Sequence, residues 1–580
     1  MSGRKSAKPV RRLESISGLA GRDLRDKLVE LPLDDQVRLF LRSNWRDRIK
    51  IVRFSSLADE LVASIPDEEI LLAFRGAGED EGLQLIAHAA DEQLRFVLDI
   101  DLWDEHAVDE EQVLKWLGYL VSLGERSIMS FVRGCDLELV VVFLSKLICL
   151  IPFEEAVEMG DELTSIMPDE AFVVQPRIVE EIPSIRLFLS VVRAEDRDLY
   201  GQLRYAVYRS IETEAEEEAY RWRNSRLEEK GILEYREAAG IYDPLPESRI
   251  RELTNAGGRP YYARAGEIQV PAFYPLELSS SRPLYYELLT SLEEGDLKQR
   301  ITGDVSYVAN RLLVADGRAV GDVDATGAAL GRLFSLANVG LLLMADRTGR
   351  TPGEIMKAVS ITDLFKIGLG AVMGLKREAQ EIGRKCRPAG GTAEPAPLEE
   401  YHSAVLNGLL RRLPQYYVPG ADDGEDYRDF RTPEEIVDTK KVLDQISVLW
   451  KACFGKSGAG DSGPAMPAGK TNFGNVLMTG FARFVLSGEA TAVPLKKREL
   501  DRFLDTAFVD AGEAGRALDA AAGEEYLAWL KGKTGLEAHE WAILEAYVME
   551  RFEALEEEIS GALSAKDVDS LLTRGILLAW

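Results

Sequence analysis

Asp109-Glu110-Glu111-Gln112-Val113-Leu114-Lys115-Trp116-Leu117-Gly118-Tyr119-Leu120-Val121 settles the class of fold. Val113, Trp116, Leu117, Leu120 and Val121 stand at offsets of 0, 3, 4, 7 and 8, which lays one apolar stripe along a helix. A strand would alternate with a period of two. The three acids in front sit where the helix dipole favours negative charge. Working outward, Ile65-Pro66-Asp67-Glu68-Glu69 and Leu31-Pro32-Leu33-Asp34-Asp35 have the same form. They superpose at an offset of 34, aligning Val37 with Leu71 and Phe40 with Phe74. A proline in the first helical position followed by acids starts a helix because its missing N–H is not needed there. Ala90-Asp91-Glu92 and Val108-Asp109-Glu110 are further starts at irregular spacing. The chain is therefore read as mainly α, with stacked helix pairs in its N-terminal part and an irregular bundle as the alternative.

Breakers divide the chain. Residues 1–20 form a basic tail expected to be disordered; within its first twelve residues Arg4, Lys5, Lys8, Arg11 and Arg12 stand without an acid. A stacked-helix N-terminal domain is expected over 21–165 and a central helical domain over 166–385, with Pro152, Pro168, Pro176 and Pro183 marking the junction. In the central domain, residues 257–275 change character around Tyr261, Tyr262, Ile268, Val270, Phe273 and Tyr274, and predict a small β hairpin or sheet that holds most of the strand in the chain. Residues 386–398, with three prolines and two glycines, read as a linker. A C-terminal helical domain follows over 399–580, with a mobile loop at 455–469 that holds five glycines and two prolines. Its last helix is marked by Trp541, Leu544, Val548, Phe552, Leu555 and Ile559, in steps of three and four.

The 580 residues carry 70 Lys and Arg against 98 Asp and Glu, a net charge of −28. That field opposes broad contact with nucleic acid or an anionic bilayer. The apolar runs Leu137 to Ile151 and Leu333 to Ala345 are shorter than the roughly 20 residues a bilayer requires, and both read as buried helices. With no apolar stretch behind the basic N-terminal residues, no secretory signal is expected and the compartment expected is the cytoplasm. Cys135, Cys149, Cys386 and Cys453 show no paired spacing, as in a reducing compartment.

His88, His106, His402 and His539 lack zinc-protease or di-iron spacing, so no metal or cofactor is expected. Gly469-Lys470-Thr471 ends no phosphate loop, because Pro464 occupies the place of the first glycine and Pro467 removes another donor. Gly368 to Gly374 is spaced wrongly for a dinucleotide fingerprint and reads as close helix packing. No catalytic grouping stands out, and the reading leans away from an enzyme.

The most unusual polar cluster is Glu217, Tyr220, Arg221, Trp222, Arg223 and Asn224, behind a run with five glutamates between 212 and 218. Glu217 with Arg221 and Tyr220 with Asn224 are spaced as helical i,i+4 pairs, so one reading is a salt-bridged solvated helix. The other is a Trp and Arg anchor for a partner protein or an anion. Residues 221, 222 and 223 fan through about 200° of a helix and cannot share one environment. Either Trp222 packs inward or an arginine does. In both cases the cluster fixes this helix against the rest of the central domain, and replacing Trp222 by alanine is expected to cost about 3–5 kcal/mol.

Several stretches resemble a known family: Glu92-Gln93-Leu94, Leu98-Asp99-Ile100-Asp101-Leu102-Trp103-Asp104, Lys115-Trp116-Leu117, Glu216 through Asn224, and Tyr242-Asp243-Pro244-Leu245. They look like an uncharacterised family of large bacterial cytoplasmic helical proteins, a domain of unknown function, over about residues 20 to 385. The resemblance implies no activity and carries over no catalytic residue. The N-terminal third is more distantly similar to the superhelical cytosolic domain of MgtE-type magnesium transporters and to flagellar motor-switch helical modules, which implies stacked short helices.

The first functional reading is a cytoplasmic helical scaffold or binding protein that engages another macromolecule, another protein rather than nucleic acid, without membrane insertion. The alternatives are an enzyme or small-molecule binder with its site in the central domain, and a regulatory module of a membrane or motility complex.

Overall fold

A computed structural model describes residues 21–104, 106–159, 165–167, 171–255, 276–293, 295–385, 398–420, 426–454, 472–510, 516–559 and 575–579. The basic tail, the strands expected at 257–275, all but the last residue of the expected linker and the loop at 455–469 with its Gly-Lys-Thr lie outside them. Among the described residues the chain forms 27 α-helices and four two-stranded antiparallel sheets. It divides into two compact units, up to Lys366 and from Ile367 onward, so the expected N-terminal domain and nearly all of the central one fall in the first.

The first unit opens with short helices led by acids or caps: α1 Gly21–Val29, α2 Leu33–Arg42, α3 Trp45–Phe54, α4 Ala58–Ala63, α5 Asp67–Ala77, α6 Glu79–Ile86 and α7 Asp91–Asp101. Pro32 and Pro66 stand one residue before α2 and α5, at the cap rather than in the first helical position as the sequence predicts. Their φ near −60° suits either place. A small hairpin, β1 Trp103–Asp104 with β2 Ala107–Val108, leads into α8 Glu110–Leu123, where Asp109 caps the Glu111 N–H. Val113, Trp116, Leu117 and Leu120 are buried, as their spacing predicts. After α9 Glu125–Gly134, the odd-numbered helices α1, α3, α5, α7 and α9 pack each on the next.

The run Leu137 to Ile151 is not one helix. α10, Leu137–Leu147, stops where Ile148 turns extended, and β3 Ile148–Pro152 pairs with β4 Phe172–Pro176. Pro152 and Pro176 end the two strands, where a proline takes no donor from the middle of a ladder. The strands described thus lie in four small sheets outside the expected 257–275.

Then come α11 Phe153–Met159, α12 Ile182–Glu195, α13 Arg197–Arg209, α14 Glu212–Glu229, α15 Tyr235–Ala239, α16 Glu247–Asn255, α17 Leu284–Ser291, α18 Asp296–Ala315, α19 Val323–Thr348, α20 Pro352–Ala358 and α21 Ile361–Lys385. The run Leu333 to Ala345 lies inside α19. That helix is long and apolar enough to cross a bilayer, but most of its apolar side chains are buried against the protein's own elements, among them α17, α18 and α20. Small residues allow this. A Cβ at Gly331 would stand 2.0 Å from Ser280 Oγ, and one at Gly340 would stand 2.0 Å from the Leu364 carbonyl oxygen.

The second unit contains α22 Glu400–Leu410, the hairpin β5 Tyr416–Tyr417 and β6 Tyr427–Arg428, α23 Pro433–Phe454, α24 Phe473–Ser487, α25 Lys497–Ala507, the hairpin β7 Phe508–Asp510 and β8 Arg516–Leu518, α26 Ala520–Thr534 and α27 Ala538–Ile559. Trp541, Leu544, Val548, Phe552 and Leu555 of α27 are buried, with Phe552 against Phe481 and Tyr526. Two glycines of α21 are not close-packing sites: among the described residues no atom outside the helix's own nearby backbone lies within 4 Å of a Cβ placed at Gly370 or Gly374.

Candidate functional site

α14 is the helix that carries the sequence cluster, and it docks by polar groups more than by an apolar stripe. Only Ala215, Ala219 and Leu227 are buried, and the two alanines let the helix approach α10 closely. Around them runs a row three or four residues apart: Glu212, Glu216, Tyr220, Arg223, Arg226 and Lys230. Each reaches a group on a different part of the unit. Glu212 accepts from Lys146 Nζ at 2.9 Å, and the Val108 N–H donates to Glu216 Oε1 at 2.8 Å. Tyr220 Oη lies 2.8 Å from His106 Nδ1, its ring 5.8 Å from that of Trp103. Arg223 Nε donates to the Asp99 carbonyl at 2.5 Å while its guanidinium covers Trp103.

Arg226 makes the strongest contact of the row. Its Nε and one terminal nitrogen donate to the two Asp99 carboxylate oxygens, both at 2.8 Å, and the other donates to Asp136 at 2.6 Å. Such a fork matches a carboxylate's geometry as a lysine cannot. Asp99 is 1% exposed. Burial pushes its carboxyl up, against the pull of Arg226 and Arg223. Burial also opposes the Arg226 charge, but the hydrogen bonds and field of Asp99 and Asp136 more than offset this, leaving its pKa raised. Just beyond the helix, Lys230 pairs with Asp67 at 2.9 Å and Glu68 at 3.5 Å, and its charge is favoured by both despite burial. Acids thus lead α14 and cations close it, as its dipole prefers, and those cations meet acids at the starts of α5 and α10.

Among the described residues, the opposite side of α14 is open to solvent. Glu214, Glu217, Glu218, Arg221, Trp222, Ser225, Glu228 and Glu229 are exposed, and at 100° per residue they occupy about 140° of the helix. Trp222 is 52% exposed. Of the two dispositions weighed for residues 221 to 223, the structure has the arginine inward and Trp222 outward, which removes the emptied site on which the expected cost of Trp222→Ala rests. The reason is electrostatic: a buried acid, Asp99, draws Arg223 and Arg226 to the inner face and turns residue 222 out. Arg221 pairs with Glu217 in solvent as expected. Tyr220 and Asn224 do not pair; Tyr220 meets His106, and Asn224 accepts from Arg223 at 3.2 Å.

Sequence reasoning missed Asp99, Asp136, Arg226 and Lys230. Asp99 offered a signal, since Val97-Leu98-Asp99-Ile100 puts an acid inside an apolar run. Among the described residues no group of three or more His, Cys, Asp and Glu is placed to hold a metal ion. Two open cavities of about 600 and 560 Å³ also lie in this unit. One is lined by Phe153, Met167 and Phe172, the other by Asp91, Arg126 and Ser130, and no α14 residue lines either.

A family model matches residues 25–579, which carry every group just described. The chain belongs to DUF6178, a family of unknown function. Membership in DUF6178 spans nearly the whole chain, further than the resemblance over residues 20 to 385 implied. No curated protein and no solved structure matches it. The expected likeness of the N-terminal third to MgtE-type transporters and flagellar motor-switch modules therefore finds no support.

Proposed function

We propose that this DUF6178 protein is a cytoplasmic helical scaffold that binds another protein through the outer face of α14. One observation carries the reading: Trp222 stands half in water on a helix whose other side is fixed at six positions along its length. An indole buried by a partner contributes more than most side chains, and a helix already held in place loses little entropy on binding. The three described cysteines are unpaired, which supports a reducing compartment.

The test is a photo-crosslinking residue at the exposed Ser225, introduced in the native cell with and without Trp222→Ala. The expected result is a crosslinked partner that disappears in the variant while the melting temperature is unchanged. An unaltered set of crosslinks would overturn the proposal. So would a fall in melting temperature of several degrees, because Trp222 would then be part of the packed structure.

A further inference from the structure

The outer face of α14 also specifies the chemistry of its partner. Glu214, Glu218, Glu228 and Glu229 are exposed and make no ion pair among the described residues, whereas Glu217 is already matched by Arg221. Glu218 and Glu229 flank Trp222 on nearly the same line of the helix, at offsets of −4 and +7. An indole between uncompensated carboxylates suits a cation, which gains both from the π face and from the acids. A neutral apolar surface would cover Trp222 but leave those carboxylates facing a desolvated interface, which is costly. From Glu214 to Glu229 the helix rises about 22 Å, room for roughly seven residues of extended peptide or four helical turns.

We propose that the face takes a basic segment of a partner protein, with lysines or arginines set against Glu214, Glu218, Glu228 and Glu229 and one side chain laid on Trp222. This rests on the reading of α14 as the binding face. Electrostatic attraction to a chain of net charge −28 would bring such a segment in from any direction, so the test must separate the local site from the overall field.

The probe is a short fluorescent peptide of leucine, lysine and arginine, titrated into the full-length protein by anisotropy, with its glutamate counterpart as a control. Trp222→Ala and the pair Glu218→Lys with Glu229→Lys should each weaken it about tenfold, with the effect of the pair shrinking in salt. Glu553→Lys, an exposed reversal in the second unit, should change it little. If Glu553→Lys weakens binding as much as the α14 pair, only the overall charge is at work and the inference fails. If the Ser225 crosslink survives Glu218→Lys with Glu229→Lys but is lost with Trp222→Ala, the binding face stands and the basic partner does not. Replacing Arg4, Lys5, Lys8, Arg11 and Arg12 by glutamine should leave affinity unchanged. A large gain would show that the chain's own N-terminal cations fill the face, overturning the separate partner.

Discussion

Asp99 lies in the body of α7, shielded from water, and an ionised carboxylate there persists only if a cation is brought to it. Arg226 supplies both halves of the match through its fork, and Arg223 adds its field from the carbonyl side. Removing one partner of a buried pair is worse than removing both, because the survivor keeps its desolvation cost. Arg226→Ala should therefore lower stability by about 3–5 kcal/mol in urea unfolding, and adding Asp99→Asn should recover part of the loss. Trp222→Ala, by contrast, should change it by no more than about 0.5 kcal/mol, since an exposed side chain leaves no cavity. A loss of 3 kcal/mol or more in that variant would mean that the indole is packed after all.

At the scale of elements, what separates the helices is the source of their docking energy. α27 and α8 dock by an apolar stripe, and their buried residues were legible from spacing alone, since periodicity is local. α14 docks by a polar row whose partners lie far off in sequence, Asp99 being 127 residues from Arg226. Its inner face therefore looked like a solvated one, and of the inner row only Tyr220 and Arg223 drew notice, beside the outward Glu217, Arg221 and Trp222. β3 was lost in an apolar run for a related reason: four to eight apolar residues fit a strand or a buried helix equally well. Glycine packing was equally hidden, because what stands opposite a glycine is a tertiary fact. Gly340→Ala in α19 should destabilise the first unit by about 1–3 kcal/mol, as its Cβ would collide with backbone at Leu364. Gly370→Ala in α21 meets open space and should instead stabilise its helix by about 0.5–1 kcal/mol. Paired melting curves would show the opposite signs, and a stabilised Gly340→Ala would refute the close approach.

For the molecule as a whole, the excess of acids brings a few carboxylates into the interior, and these set how the first unit responds to pH. Glu68 and Glu69 at the start of α5 are buried, and burial pushes both up to about 7 against the pull of Lys230 and Arg48 respectively. In the unfolded chain a glutamate ionises near its ordinary value of 4.5, so between there and about 7 the folded protein holds more protons than the unfolded one. Their contribution is complete below that window, falls as pH rises through it and is gone above, up to about 3 kcal/mol for each fully buried group. Each residue can be tested by what its replacement leaves behind. Glu68→Gln keeps Lys230 paired with Asp67 at 2.9 Å, so it should flatten the decline in urea stability between pH 5 and pH 8 and leave the variant the more stable at the upper end. Glu69→Gln leaves the Arg48 guanidinium, 3% exposed and 2.6 Å from that carboxylate, beside a neutral amide much as it stands beside the protonated acid below about pH 7; with Arg48 still donating to the Ser43 and Leu41 carbonyls, this variant should flatten the decline over the same window. A Glu68→Gln profile parallel to wild type would mean that Glu68 stays ionised in the folded chain throughout, held by Lys230.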